Sequence, residues 1–125
     1  MIVSASMDKT LKVWDATTMG TSGALNTFMH EHTAYQAVWH PTHESIFASC
    51  SGDQTCRVWD IRTQKDVKKI HAHNNDVLSL DFNKYENFIA TASTDNLIKI
   101  FVSNKIAIFI PFRISEQTWT SLSWC

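Results

Sequence analysis

Apolar and β-branched residues gather in short runs of four to six positions, punctuated by Pro, Gly, Asn, Asp and Ser. Such runs read as strands joined by turns. In the middle of the chain they fall at Ala34 to Trp39, Ile46 to Ser51, Thr55 to Asp60 and Val67 to Ile70, with Pro41-Thr42-His43 and Gly52-Asp53-Gln54 as intervening turns. A second series follows at Val77 to Phe82, Phe88 to Ser93 and Leu97 to Phe101, and Ile106 to Ile110 can supply its fourth strand. Ile2 to Ser6 adds one more near the start. Val, Ile and Thr total 31 residues against 5 Gly plus Pro, which favours pleated strands over disorder. The expected class is all-β.

The runs repeat. Ser4-Ala5-Ser6-Met7-Asp8-Lys9-Thr10-Leu11-Lys12-Val13-Trp14-Asp15 recurs as Ser49-Cys50-Ser51-Gly52-Asp53-Gln54-Thr55-Cys56-Arg57-Val58-Trp59-Asp60, identical at seven of twelve positions. A weaker copy runs from Thr91 to Val102 and keeps the six-residue offset from Asp95 to the aromatic Phe101. The copies lie 45 and then 42 residues apart. Ahead of the second and third, His30 precedes Trp39 by nine residues and His73 precedes Phe82 by nine.

This period, with Trp-Asp closing the unit, resembles the WD40 family, whose units are four-stranded antiparallel blades of a β-propeller. Met29-His30 and Ala72-His73 stand where the family has Gly-His. The resemblance implies a propeller fragment of about two and a half blades: a partial blade at 1–28, a complete one at 29–70, one with a degenerate end at 71–110, and a non-repeat tail at 111–125. It also implies a structural tetrad in which the His, a strand Ser or Thr, the turn Asp and the Trp are hydrogen-bonded. His30, Ser49, Asp53 and Trp59 form one complete set; His73, Thr91, Asp95 and Phe101 form another that lacks the indole N–H.

Charge and composition narrow the function. Lys plus Arg is 11 and Asp plus Glu 12, a net charge of −1 without a basic stripe, so nucleic acid is not an expected partner. Three cysteines, Cys50, Cys56 and Cys125, do not make a disulfide framework, and the first residues lack the charged and apolar regions of a secretory signal. No apolar run approaches the roughly 20 residues that span a bilayer. A cytoplasmic chain without direct membrane insertion is expected. A Ser, a His and an Asp could suggest a hydrolase, but there is no Gly-x-Ser-x-Gly elbow. No metal-ligand spacing and no Gly-rich phosphate loop occur either, so neither catalytic nor metal residues nor a cofactor is assigned. Trp14, Trp39 and Trp59 read as core.

Ile46 to Thr55 and Ala72 to Tyr85, the Asp81-Phe82-Asn83-Lys84-Tyr85 run above all, resemble receptors for the type-2 peroxisomal targeting signal. That resemblance implies a cytoplasmic receptor shuttling to the peroxisome, whose partners are matrix proteins with a basic, amphipathic N-terminal signal and an import co-receptor. The WD40 resemblance places top-face contacts at Thr33, Tyr35, Asp76 and Leu78 and at Met7, Gly52 and Thr94, with Glu31 beside the same entrance; for a cargo signal, Asp76 and Glu31 are expected to meet a basic side chain and Tyr35 and Leu78 to give apolar contact. The alternatives are another WD40 adaptor binding a different peptide on the same face, such as a histone-binding or ribosome-biogenesis subunit, and a truncated chain without independent function.

Overall fold

A computed structural model of the chain describes residues 1–18 and 23–102, and residues 105–113 as backbone. Eleven strands are present among the described residues: β1 (Ile2–Ala5), β2 (Thr10–Trp14), β3 (Asn26–Met29), β4 (Ala34–Trp39), β5 (Ile46–Ser51), β6 (Thr55–Asp60), β7 (Lys65–His71), β8 (Val77–Phe82), β9 (Phe88–Ser93), β10 (Leu97–Val102) and β11 (Lys105–Arg113). They form three antiparallel meanders, in the orders β1-β2-β3, β4-β5-β6-β7 and β8-β9-β10-β11. This is an all-β partial propeller: one three-stranded blade and two four-stranded ones. The last strand, at 105–113, is longer than the Ile106 to Ile110 run, and the sequence beyond it, with Trp119 and Trp124, lies outside the described residues.

Blades pack face to face, and the alternation of side chains along each strand decides what each face presents. Leu11, Val13 and Phe28 of the first blade meet Phe47 and Trp59 of the second. The other face of that second blade, with Ala48, Cys50 and Cys56, meets Val77, Leu80, Ile89 and Phe101 of the third. Because the middle blade is covered on both sides, Phe47 to Ser51 of β5 are buried without interruption, the pattern of a strand enclosed on both faces. Phe28 and Phe47 meet edge to face at 5.3 Å, and the Phe28 and Trp59 centroids lie 5.2 Å apart, close enough for aromatic attraction beyond area burial.

The turns β1–β2, β5–β6 and β9–β10, one in each blade, are built in the same way. Asp8, Asp53 and Asp95 use Oδ1 to accept the backbone N–H two residues on, at 2.9, 3.0 and 2.9 Å, and donate their own N–H to Ser6, Ser51 and Ser93 Oγ. The residue after each Asp, Lys9, Gln54 or Asn96, is left-handed, with φ of 75°, 70° and 66°. Local hydrogen bonding of this kind is why Asp and Ser favour turns.

Candidate functional site

The two histidine networks are built alike. His30 Nδ1 lies 2.9 Å from Asp53 Oδ2 and its Nε2 2.7 Å from Ser49 Oγ, while Trp59 Nε1 donates to the same Ser49 oxygen at 2.8 Å. A carboxylate only accepts, so His30 carries its proton on Nδ1; Ser49 donates to Nε2 and accepts from the indole. Every donor has a taker. In the third blade His73 Nδ1 lies 2.8 Å from Asp95 Oδ2 and Nε2 2.8 Å from Thr91 Oγ1; the buried Phe101 ring stands where Trp59 does and adds no donor. The first blade keeps only the far end, Trp14 Nε1 donating to Ser4 Oγ at 3.0 Å.

Electrostatics fit this pairing. Burial pushes Asp53 and Asp95 upward, but hydrogen bonds from His30 and Thr55 on the one, and from His73 and the Leu97 and Asn74 amides on the other, hold both below the usual carboxylate value. Burial lowers His73 despite Asp95. The set is unsuited to nucleophilic catalysis: Ser49 is fully buried, and its oxygen is enclosed between indole and imidazole, out of reach of a substrate carbonyl. Burial also drives the Cys50 thiol up to about 12 and Cys56 well above its ordinary value, so neither supplies a thiolate. Among the described residues no group of three or more His, Cys, Asp or Glu is placed to hold a metal ion.

A third element of the networks is a cation four residues after the turn Asp. Arg57, buried, reaches Asp53 Oδ2 at 3.3 Å and Glu31 Oε1 at 3.1 Å, with its guanidinium 5.8 Å from the Trp59 ring centre. Lys99, also buried, donates to the Ala72 carbonyl at 2.7 Å. The sequence carries a signal for this pair: Lys12, Arg57 and Lys99 occupy one repeat position.

The predicted contact residues meet at one end of the blades. β4 and β8 each contain a register shift, between Ala34 and Gln36 and between Val77 and Ser79, so Tyr35 and Leu78 are the residues without a partner on the next strand. A bulge bends the strand and re-aims the extra side chain. Tyr35 and Leu78 accordingly stand 41% and 44% exposed beside the buried Ala34 and Val77. Tyr35 donates its hydroxyl to Asp76 Oδ2 at 2.8 Å, joining the second blade to the third, and this bond raises the phenol's pKa. Just below, the Gln36 side-chain oxygen takes the Ser79 hydroxyl at 2.8 Å and the Leu80 N–H at 3.0 Å.

The surrounding turns close on the same end. The Gly52 N–H donates to the Thr33 carbonyl at 2.9 Å, the Thr94 N–H to that of Asp76 at 3.1 Å, and the Ala34 N–H to that of Ser6 at 3.1 Å, next in sequence to the exposed Met7. A Cβ at Gly52 would stand 2.6 Å from His32 Nδ1 and 3.4 Å from Asp76 Oδ2, so the absent side chain is what lets those groups approach. Glu31 belongs to a different cluster. Its carboxylate is taken by Lys69 at 2.9 Å as well as by Arg57, and both cations hold it below its usual value. Thr33, Tyr35, Asp76 and Leu78 thus share one rim, and Glu31 serves the network beside it.

Comparison with known proteins agrees with the repeat. A family model described as "WD domain, G-beta repeat" matches residues 1–15, 23–60 and 64–101. Among curated proteins, the chain is 36% identical over 101 residues to the nuclear distribution protein PAC1 of Komagataella phaffii, covering 80% of this chain and 20% of that protein. It is 30% identical over 111 residues to the WD-40 repeat-containing protein MSI3 of Arabidopsis thaliana, covering 84% of this chain and 26% of that one. The chain therefore spans about a fifth to a quarter of the length of these relatives.

Proposed function

The chain belongs to the WD40 repeat family, and from this premise we propose that it serves as a non-catalytic protein-interaction scaffold, presenting the rim of Thr33, Tyr35, Asp76 and Leu78 to a peptide segment of a partner. The observation that carries this reading is the pair of bulges. Strand irregularities at equivalent places in two blades push an aromatic and an aliphatic side chain into solvent, beside a carboxylate, where a regular strand would keep pairing. Met7 extends the apolar row into the first blade. Exposed apolar groups beside polar ones suit the anchoring of a short segment.

Chemistry favours a partner residue carrying positive charge next to apolar neighbours, met by Asp76 between Tyr35 and Leu78. Glu31, neutralised by Arg57 and Lys69, contributes little to such a contact.

A narrower reading makes the partner a type-2 peroxisomal signal, with this protein working between cytoplasm and peroxisome alongside a co-receptor. Its support is the wording of Ile46 to Thr55 and Ala72 to Tyr85, together with a rim that would suit a basic, amphipathic segment. The named relatives, a nuclear distribution protein and a WD-40 repeat-containing protein, favour the broader adaptor reading instead.

Both readings are tested on an array of synthetic peptides that includes basic amphipathic type-2 signals. Wild type should bind a discrete subset, and Leu78→Glu should abolish that binding while Val67→Glu, a change at a still more exposed apolar residue on the outer strand β7, leaves it intact. Binding confined to the signal peptides supports the narrower reading; binding insensitive to Leu78→Glu overturns the rim assignment.

A further inference from the structure

At the opposite end of the same two blades, the turn between β4 and β5 carries a polar cluster that the interaction rim does not use. His40 Nδ1 lies 3.2 Å from the amide nitrogens of both Thr42 and His43 and 3.3 Å from Thr42 Oγ1. A backbone N–H only donates, so Nδ1 is the acceptor and the neutral ring carries its proton on Nε2. The ring packs between His43, with centroids 4.6 Å apart, and Phe82 of β8, at 4.9 Å. His40 is half-buried there, and its own N–H is tied to the Ile46 carbonyl at 2.8 Å.

Among the described residues, the side chains packed on the ring, His43 and Phe82, carry no negative charge to offset a proton. From its own turn the ring faces His43, with the exposed Glu44 next in sequence; β5 meets only the backbone of His40, through the Ile46 carbonyl. From β8 it faces Phe82, whose neighbour Asp81 uses its Oδ1 to accept the Phe82 N–H at 2.9 Å. Burial, and then the repulsion of His43, hold His40 below its ordinary value of 6.5.

We propose that the 40–43 turn is an acid-sensitive fastening between the second and third blades. A proton taken from solvent at Nδ1 turns a shared acceptor into a donor that confronts two N–H groups. The turn then opens and the ring withdraws from Phe82. The seam between the two blades is then left to the apolar packing of Ala48, Cys50 and Cys56 against Val77, Leu80, Ile89 and Phe101, to Gln36 and to the Tyr35–Asp76 bond at its other end. The sign is fixed by the geometry: the folded turn requires neutral His40, so its contribution is whole above about pH 6.5 and is lost as the pH falls.

The test is a pH titration of the full chain from 8 to 5, following the imidazole nitrogens by NMR and the exchange of the Thr42 and His43 amides. At pH 8 His40 should be the Nε2–H tautomer. Its midpoint should lie below 6.5, and below that midpoint, once the ring is charged, the two amides should lose about tenfold in protection, corrected for intrinsic rates, as expected for loss of one net hydrogen bond. His40→Asn keeps an acceptor oxygen but cannot charge, and should abolish the step. A His40 that titrates at 6.5 or higher with the two amides still protected, or a step that persists in His40→Asn, overturns the proposal.

Discussion

Arg57 and Lys99 stand four residues after their turn aspartates and do related work in successive blades: Arg57 neutralises Asp53 and Glu31, and Lys99 caps the Ala72 carbonyl immediately before His73. Both are buried, and both tie the strand after the turn to the segment that delivers the histidine. Replacing Arg57 with Met leaves the enclosed Asp53 without its cation. Because Asp53 keeps its bonds from His30 and Thr55, the cost should be about 1.5–3 kcal/mol, the worth of a hydrogen bond to a charged group. Urea unfolding measures it. Glu31→Gln, at the exposed end of the cluster, should leave the urea midpoint almost unchanged.

Trp59→Phe keeps the ring in the core but removes the donor to Ser49 Oγ, making the second blade resemble the third at this position. The expected loss is about 1 kcal/mol, the net worth of a typical hydrogen bond. A cost near that of a core truncation, about 3 kcal/mol or more, would show that the ring's packing had also been disturbed.

Gln54 holds a φ of 70° that glycine adopts freely, and the equivalent position of the third blade is Asn96, a residue tolerant of that region. Gln54→Gly should be neutral or stabilising, by up to about 1 kcal/mol, whereas Gln54→Val should destabilise by more than that. Comparing the thermal midpoints of the two variants checks the left-handed turn directly.

Stability should fall with acid in two stages. His73 is lowered by burial, so the unfolded chain takes up a proton first, and the stability it contributes above pH 6.5 diminishes as the pH drops below that value. Asp53 and Asp95 lie below 3.8 in the fold, so their contribution is whole above that pH and drains away as acid protonates the unfolded chain and then the folded one. Thermal melts between pH 7 and 3 should show both limbs, with Asp53→Asn flattening the lower.

Strand positions were largely legible because apolar runs and turn residues alternate on a regular period. β4, β5, β6, β8 and β9 have the bounds expected from those runs. β7 begins at Lys65, two residues earlier than its apolar pattern, because an exposed outer strand needs no apolar side chains to keep pairing. β3 escaped notice for a related reason: of Asn26 to Met29 only Phe28 is buried. The bulges at Tyr35 and Leu78 were not legible, since one unpaired residue leaves no mark on composition. Nor was the diversion of Glu31 to Arg57 and Lys69, which depends on side chains 26 and 38 residues away.

The most direct measurement of the interaction rim is backbone NMR of the full chain titrated with the tightest peptide from the array. Shift changes should centre on Thr33, Tyr35, Asp76 and Leu78 and leave Lys65 to His71 undisturbed. Changes centred on that outer strand, or none at concentrations where the peptide is bound, would contradict the assignment of the bulged ends of β4 and β8 as the surface by which this protein meets its partner.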